Sequence, residues 1–64
     1  MTAARKLRRL IGWARPDLPK QQREVLHRLL CPSWLGLLAT CPDEAFASQD
    51  GCHQLVVKLR EALQ

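Results

Sequence analysis

The scarcity of β-branched residues is the feature that most constrains how this chain can fold. Only six of its 64 residues are β-branched, whereas twelve are leucine. Leucine and the other abundant residues (alanine, arginine, lysine, glutamine and glutamate) all favour helix. No segment alternates apolar and polar residues over the length of a strand. The sequence therefore predicts an all-α fold.

Length and punctuation predict how the helices are organised. Sixty-four residues suffice for a single helical domain spanning residues 1–64. Four prolines divide the chain into segments of two to three turns. We therefore predict a compact bundle of four to five short helices.

The first two helices have recognisable boundaries. Helix one is predicted over Ala3–Ala14, with Thr2 as its N-cap and an apolar stripe at i, i+3, i+4 and i+7. Helix two should open at Asp17 or Leu18, with Asp17 as N-cap, and Pro32 should stop it.

Three further helices are predicted in the second half. Ser33 should cap a short helix over Trp34–Thr40, and a weak helix should run from Pro42 to near Gln49. The Asp-Gly pair at 50–51 then precedes a last helix over Cys52–Leu63. Nine leucines are expected to build the core: Leu7, Leu10, Leu26, Leu29, Leu30, Leu37, Leu38, Leu55 and Leu59.

Charge is distributed unevenly along the chain. Residues 1–15 contain five basic residues and no acid, whereas residues 32–64 contain four acids and two bases. Trp13 lies off the apolar stripe of helix one and beside basic side chains. Because Trp and Arg are the residues most enriched at interface hot spots, we predict a protein–protein interaction module: an adaptor, an oligomerisation unit or an inhibitor. The predicted contact residues are Arg5, Arg8, Arg9, Trp13 and Arg15.

Nucleic acid is the alternative partner for the basic helix, because arginines can track phosphates. Leu18-Pro19 followed by Gln22-Arg23-Glu24-Val25-Leu26 resembles the opening of the DNA-binding region 4 of bacterial sigma factors. Six further residues can be aligned with the helix-turn-helix that follows it in that family: Glu44, Ala47, Gly51, Cys52, Val57 and Lys58. The resemblance implies a DNA-binding regulator whose recognition helix is Cys52–Leu63, where only Lys58 and Arg60 are basic.

The cysteines and histidines are candidate metal ligands. His27 and Cys31 are spaced i, i+4, so both can face one zinc ion, and Cys41 with Cys52 or His53 would complete a tetrahedral site. No close CxxC pair is present, although zinc modules usually contain one. We therefore predict no metal or cofactor, with zinc as the alternative and three core thiols as the simpler interpretation.

The remaining expectations concern class and location. We predict a protein that is not an enzyme, since the sequence has no phosphate loop and its one pair of acids, Asp43–Glu44, suits a first helical turn. The odd number of cysteines favours reduced thiols and an intracellular, cytoplasmic or nuclear location. No transmembrane segment is expected. A chain this small has little core, so homo-oligomerisation is a further expectation.

Overall fold

The first helix lies at the centre of the fold. In the computed structural model, which describes residues 1–64, α1 spans Ala3–Ala14 and packs against both other α-helices, α2 (Lys20–Ala39) and α3 (His53–Ala62). Two short 3-10 helices, Asp43–Ala47 and Asp50–Cys52, connect α2 to α3. The all-α prediction is confirmed, with three α-helices instead of four or five.

Helix α1 begins and ends where its sequence predicts. The hydroxyl of Thr2 accepts a hydrogen bond from the backbone N–H of Arg5 at 3.2 Å, as an N-cap does. At the other end, Pro16 prevents continuation of the helix. Four residues of the predicted stripe are buried: Leu7, Leu10, Ile11 and Ala14.

The predicted start of the second helix is wrong. Helix α2 begins at Lys20, after Pro19, with no side-chain cap. Asp17 instead accepts hydrogen bonds from the guanidinium of Arg15, at 3.1 and 3.0 Å, within the preceding turn. The Asp17 carboxylate is therefore engaged in a local ion pair with Arg15 and does not cap α2.

The predicted break at Pro32 is also wrong. Helix α2 continues through this proline to Ala39, so Trp34–Thr40 is not a separate helix. The Ser33 hydroxyl donates to the carbonyl of Leu30 at 3.3 Å and does not cap a new helix. Pro32 lies on the exposed face, where water can reach the carbonyl that loses its partner, and burial of Trp34 and Leu38 favours the continuous helix.

A continuous α2 also explains the errors in the predicted core. Only one face of a single helix can contact α1, so Leu29 is 70% exposed and Leu37 is 39% exposed. Four of the predicted leucines are buried (Leu7, Leu10, Leu38 and Leu59), and three are half-buried (Leu26, Leu30 and Leu55). The core has ten residues: Leu7, Leu10, Ile11, Ala14, Trp34, Leu38, Phe46, Cys52, Val56 and Leu59.

The segment between α2 and α3 folds into 3-10 turns instead of the predicted helix over 42–49. Phe46 is fully buried, and the Arg9 guanidinium donates to its carbonyl at 2.6 Å. Gly51 packs directly against Ala45, whose carbonyl also accepts from the Cys52 thiol at 2.8 Å. In the sigma-factor resemblance, the first α-helix of the helix-turn-helix would include Glu44 and Ala47. Residues 43–47 form a five-residue 3-10 helix instead, so the two α-helices of that motif are not both present.

Two basic side chains from distant helices cap the carboxyl ends of α1 and α2. Lys6 is 3% exposed, and its ammonium donates to the carbonyls of Leu38, at 3.2 Å, and Cys41. Arg60 donates to the carbonyls of Ala14 and Trp13, both at 3.3 Å. Positive charge complements the negative end of a helix dipole, so these contacts fix the ends of both helices.

None of the three α-helices has both the length and the apolar character needed to cross a bilayer.

Candidate binding groove

One face of α1 forms the wall of a basic groove. Positions 5, 8, 9, 12 and 13 follow the spacing of one helical face, and α2 contributes Arg23 on the opposite side. The groove has a volume of about 470 Å³. We call it the arginine groove, and its lining residues are Met1, Arg5, Arg8, Arg9, Gly12, Trp13 and Arg23.

The arginines differ in how firmly they are held. Arg8 forms an ion pair with Glu24, with 2.6 Å between Nη1 and Oε1, and Arg9 is held by the carbonyl of Phe46. Arg5 is exposed to solvent. The groove therefore contains two guanidiniums that already have partners, those of Arg8 and Arg9, and the solvent-exposed guanidinium of Arg5, which is available to a ligand.

Arg23 is the least satisfied of these residues. Its Nε is buried and has no hydrogen-bond partner. A buried polar atom without a partner costs about 1–3 kcal/mol, so such an atom in a native fold calls for an explanation. This Nε is shielded from solvent, so the side chain must turn before a ligand oxygen in the groove can accept from it.

The Arg23 guanidinium lies over Gly12 of α1. A Cβ at position 12 would lie 3.6 Å from the Arg23 Nη1, which is an ordinary van der Waals contact, so this approach does not require glycine. Arg8 and Arg23 also line a smaller neighbouring concavity of about 220 Å³, together with Lys20 and Glu24. The two guanidiniums thus form the wall between two concave surfaces.

Like Met1, Trp13 supplies apolar surface to the arginine groove. Its side chain is half-buried and packs against the core on one side while it lines the groove on the other. The structure therefore brings together four of the five predicted contact residues: Arg5, Arg8, Arg9 and Trp13.

The fifth predicted residue, Arg15, lies elsewhere. Its hydrogen bonds with Asp17 raise the pKa of Arg15 and lower the pKa of Asp17. Arg15 borders a separate, mainly apolar groove of about 340 Å³, which is lined also by Leu18, Gln22, Val25, Leu26 and Leu63.

The sequence does not single out two residues that shape this region. Arg23 enters only through the sigma-factor resemblance, and Lys6 is one of five basic residues in positions 1–15 although its side chain is buried. Both depend on how α1 crosses α2, and no local sequence signal specifies that crossing.

Lys6 and the Met1 amine both pair with Asp43, at 3.2 and 2.7 Å, and the amine and Lys6 lower the pKa of this carboxyl.

The candidate metal ligands are only partly brought together. The Cys31 thiol lies 3.4 Å from Nδ1 of His27, as the i, i+4 spacing predicts. Cys41 donates to the carbonyl of Leu37, and Cys52 donates to that of Ala45. No group of three or more His, Cys, Asp or Glu side chains is placed to hold a metal ion.

A comparison with known protein families, curated proteins and solved structures found no match for this chain.

Proposed function

We propose that this protein is a non-enzymatic protein–protein interaction module that binds an acidic segment of a partner in the arginine groove. The observation that carries the proposal is the convergence of four arginines and Trp13 on one groove whose lining contains no acid. A carboxylate can accept two parallel hydrogen bonds from one guanidinium, so an acidic side chain suits these arginines.

Trp13 gives the site an apolar anchor beside the charges. A half-buried tryptophan next to guanidiniums has the composition of an interface hot spot. The core holds one side of the ring, which lowers the entropic cost of fixing it on binding. The groove therefore suits a partner segment that combines acidic side chains with an apolar one.

Nucleic acid is the second candidate, because Arg23 adds a basic residue from α2 to those of α1. One observation favours the protein partner. Residues 32–64 carry two more acids than bases, so basic surface does not extend along the chain to follow a phosphate backbone.

Fluorescence anisotropy with two labelled probes tests the proposal. One probe is a peptide of glutamate and leucine residues, and the other is a single-stranded DNA of the same net charge. We expect tighter binding of the peptide at physiological salt. We also expect Trp13→Leu to weaken peptide binding about 30-fold, which corresponds to a hot spot of about 2 kcal/mol.

Arginine variants provide matched controls. Arg23→Gln should weaken peptide binding about tenfold, whereas Arg28→Gln, an equal charge change at an exposed site outside the groove, should have little effect. Tighter DNA binding, with similar losses for each arginine and a reduced salt slope, would favour the nucleic-acid function instead. Equal losses from Arg23→Gln and Arg28→Gln with the peptide would contradict the groove as the binding site.

An intracellular location is part of the proposal. The three cysteines are free thiols, and Cys52 is buried in the core. Free thiols persist in the reducing compartments of the cell. Homo-oligomerisation stays a prediction, supported by the exposure of Val25 and Leu29 on α2, and sedimentation analysis would measure it.

A further inference from the structure

The outer surface of the segment between α2 and α3 is acidic. Residues 43–50 contain three acids and no base, and all three acids are exposed to solvent. Asp43 is already paired with cations, whereas Glu44 and Asp50 take part in none of the four ion pairs of the chain. Two carboxylates of this 43–50 segment are therefore available to an external cation.

The 43–50 segment lies directly beside the arginine groove. The Met1 amine is 2.7 Å from the carboxylate of Asp43, and the Arg9 guanidinium donates to the Phe46 carbonyl at 2.6 Å. Both Met1 and Arg9 line the groove, whose lining contains no acid. The protein surface thus carries a basic patch and an acidic patch side by side.

Adjacent patches of opposite charge are self-complementary. If two copies face each other across a twofold axis that passes between the patches, the basic patch of each copy meets the acidic patch of the other. Such a contact forms twice and closes as a dimer. The net charge of +4 opposes association, but at physiological salt exposed charges more than about 8 Å apart are largely screened, whereas pairs buried in a contact are screened much less.

We propose that the arginine groove binds the 43–50 segment of a second copy of this chain, so that two such contacts form a symmetric dimer; this inference rests on the proposed function and names its acidic partner. Arg5 of the groove and Glu44 of the segment are both exposed and form no ion pair within the chain, so each is available to the other copy. Ala47 of the segment is also exposed and offers apolar surface to Trp13.

Sedimentation equilibrium of the full chain measures this association. The contact joins two small patches, so the measurement extends to about 1 mM protein, where weak interfaces form. We expect the mass to rise with concentration towards twice the chain mass of 7.3 kDa. At about 1 M salt the screening length falls to about 3 Å, so the mass should return to that of the monomer. A monomer at every concentration, or a dimer that is indifferent to salt, overturns the proposal.

Charge reversal identifies the two surfaces that meet. Glu44→Lys and Arg5→Glu each place like charges opposite one another at both contacts of the dimer, so each variant alone should dimerise at least about tenfold more weakly. An equimolar mixture of the two variants should dimerise again, because the reversed segment of one variant meets the reversed groove of the other. Variants that dimerise like the wild type, or a mixture no better than either variant alone, would contradict the proposal.

The exposed apolar face of α2 is a different surface for self-association, and Leu29→Gln is the matched control for it. Leu29 is 70% exposed on α2, so this variant should dimerise like the wild type. Loss of the dimer in Leu29→Gln would assign the interface to α2 and overturn the proposal.

The glutamate–leucine peptide distinguishes failure of the dimer from failure of the proposed function. Because peptide and second copy compete for one groove, excess peptide should return the protein to monomers that carry peptide. A protein that binds the peptide yet is monomeric at every concentration would overturn the dimer and leave the proposed function intact. Absence of both peptide binding and dimerisation would remove the arginine groove as a binding site.

Discussion

Replacing Lys6 with methionine removes a buried ammonium while keeping the length and apolar stem of the side chain. The variant leaves the carbonyls of Leu38 and Cys41 without their donor at the end of α2, and it removes the ion pair with Asp43. A hydrogen bond to a charged group contributes about 1.5–3 kcal/mol, whereas an exposed ion pair contributes about 0–1 kcal/mol.

The gain from no longer burying a charge offsets part of this loss. We therefore expect Lys6→Met to reduce the free energy of unfolding by about 3 kcal/mol. A core in a domain of this size supplies about 3–5 kcal/mol, so the variant should be close to unfolded at room temperature.

Urea unfolding followed by far-ultraviolet circular dichroism measures this loss. Lys20→Met is the matched control, because Lys20 is exposed on α2 and its replacement should change the free energy of unfolding by less than about 0.5 kcal/mol. A loss below about 1 kcal/mol for Lys6→Met would refute the conclusion that this ammonium caps α2.

Three further predictions concern stability. Gly36→Ala should stabilise the protein by about 1 kcal/mol, because Gly36 lies on a helix and its Cβ would meet nothing within 4 Å. Gly51→Ala should destabilise it by about 1–3 kcal/mol, because its Cβ would lie 2.5 Å from the backbone oxygen of Ala45. Urea unfolding midpoints that shift in opposite directions would confirm both predictions, and equal shifts would contradict them. Because the pKa of Asp43 is lowered in the folded state, its stabilising effect is present above the unfolded pKa of about 3.9 and is lost as pH falls through the lower folded pKa. Asp43→Asn should therefore weaken the dependence of the free energy of unfolding on pH in the acid range. An unaltered pH dependence would exclude Asp43 as a cause. Leu29→Gln should change the free energy of unfolding by less than about 0.5 kcal/mol because Leu29 is 70% exposed, and a loss of about 2 kcal/mol or more would place it in the core after all.

The parts of the fold that the sequence predicts are those fixed by local interactions. The Thr2 cap involves residues three apart, and the contact between His27 and Cys31 involves residues four apart on one helix. The helical period places both pairs together wherever the helix lies in the fold. The all-α class follows equally directly from residue propensities.

The errors arise where tertiary contacts override local signals. Pro32 normally stops a helix, but here the packing of Trp34 against the core extends α2 beyond it. Lys6 resembles its exposed neighbours in sequence, yet its partner carbonyl in Leu38 is 32 residues away. Arg23 reaches the groove because α2 packs across α1 there. These positions depend on interhelical geometry, which the residue pattern along a single helix does not specify.

The Arg23 Nε–H signal in a two-dimensional proton–nitrogen NMR spectrum tests the central claim most directly. The protein would be titrated with the unlabelled glutamate–leucine peptide, and the arginine Nε–H signals assigned through single Arg→Lys variants. We predict that the Arg23 signal shifts progressively to saturation and that the Arg28 signal, outside the groove, stays in place. An Arg23 signal that is unmoved at saturating peptide, or shifts no larger than those of Arg28, would contradict the assignment of the arginine groove as the binding site.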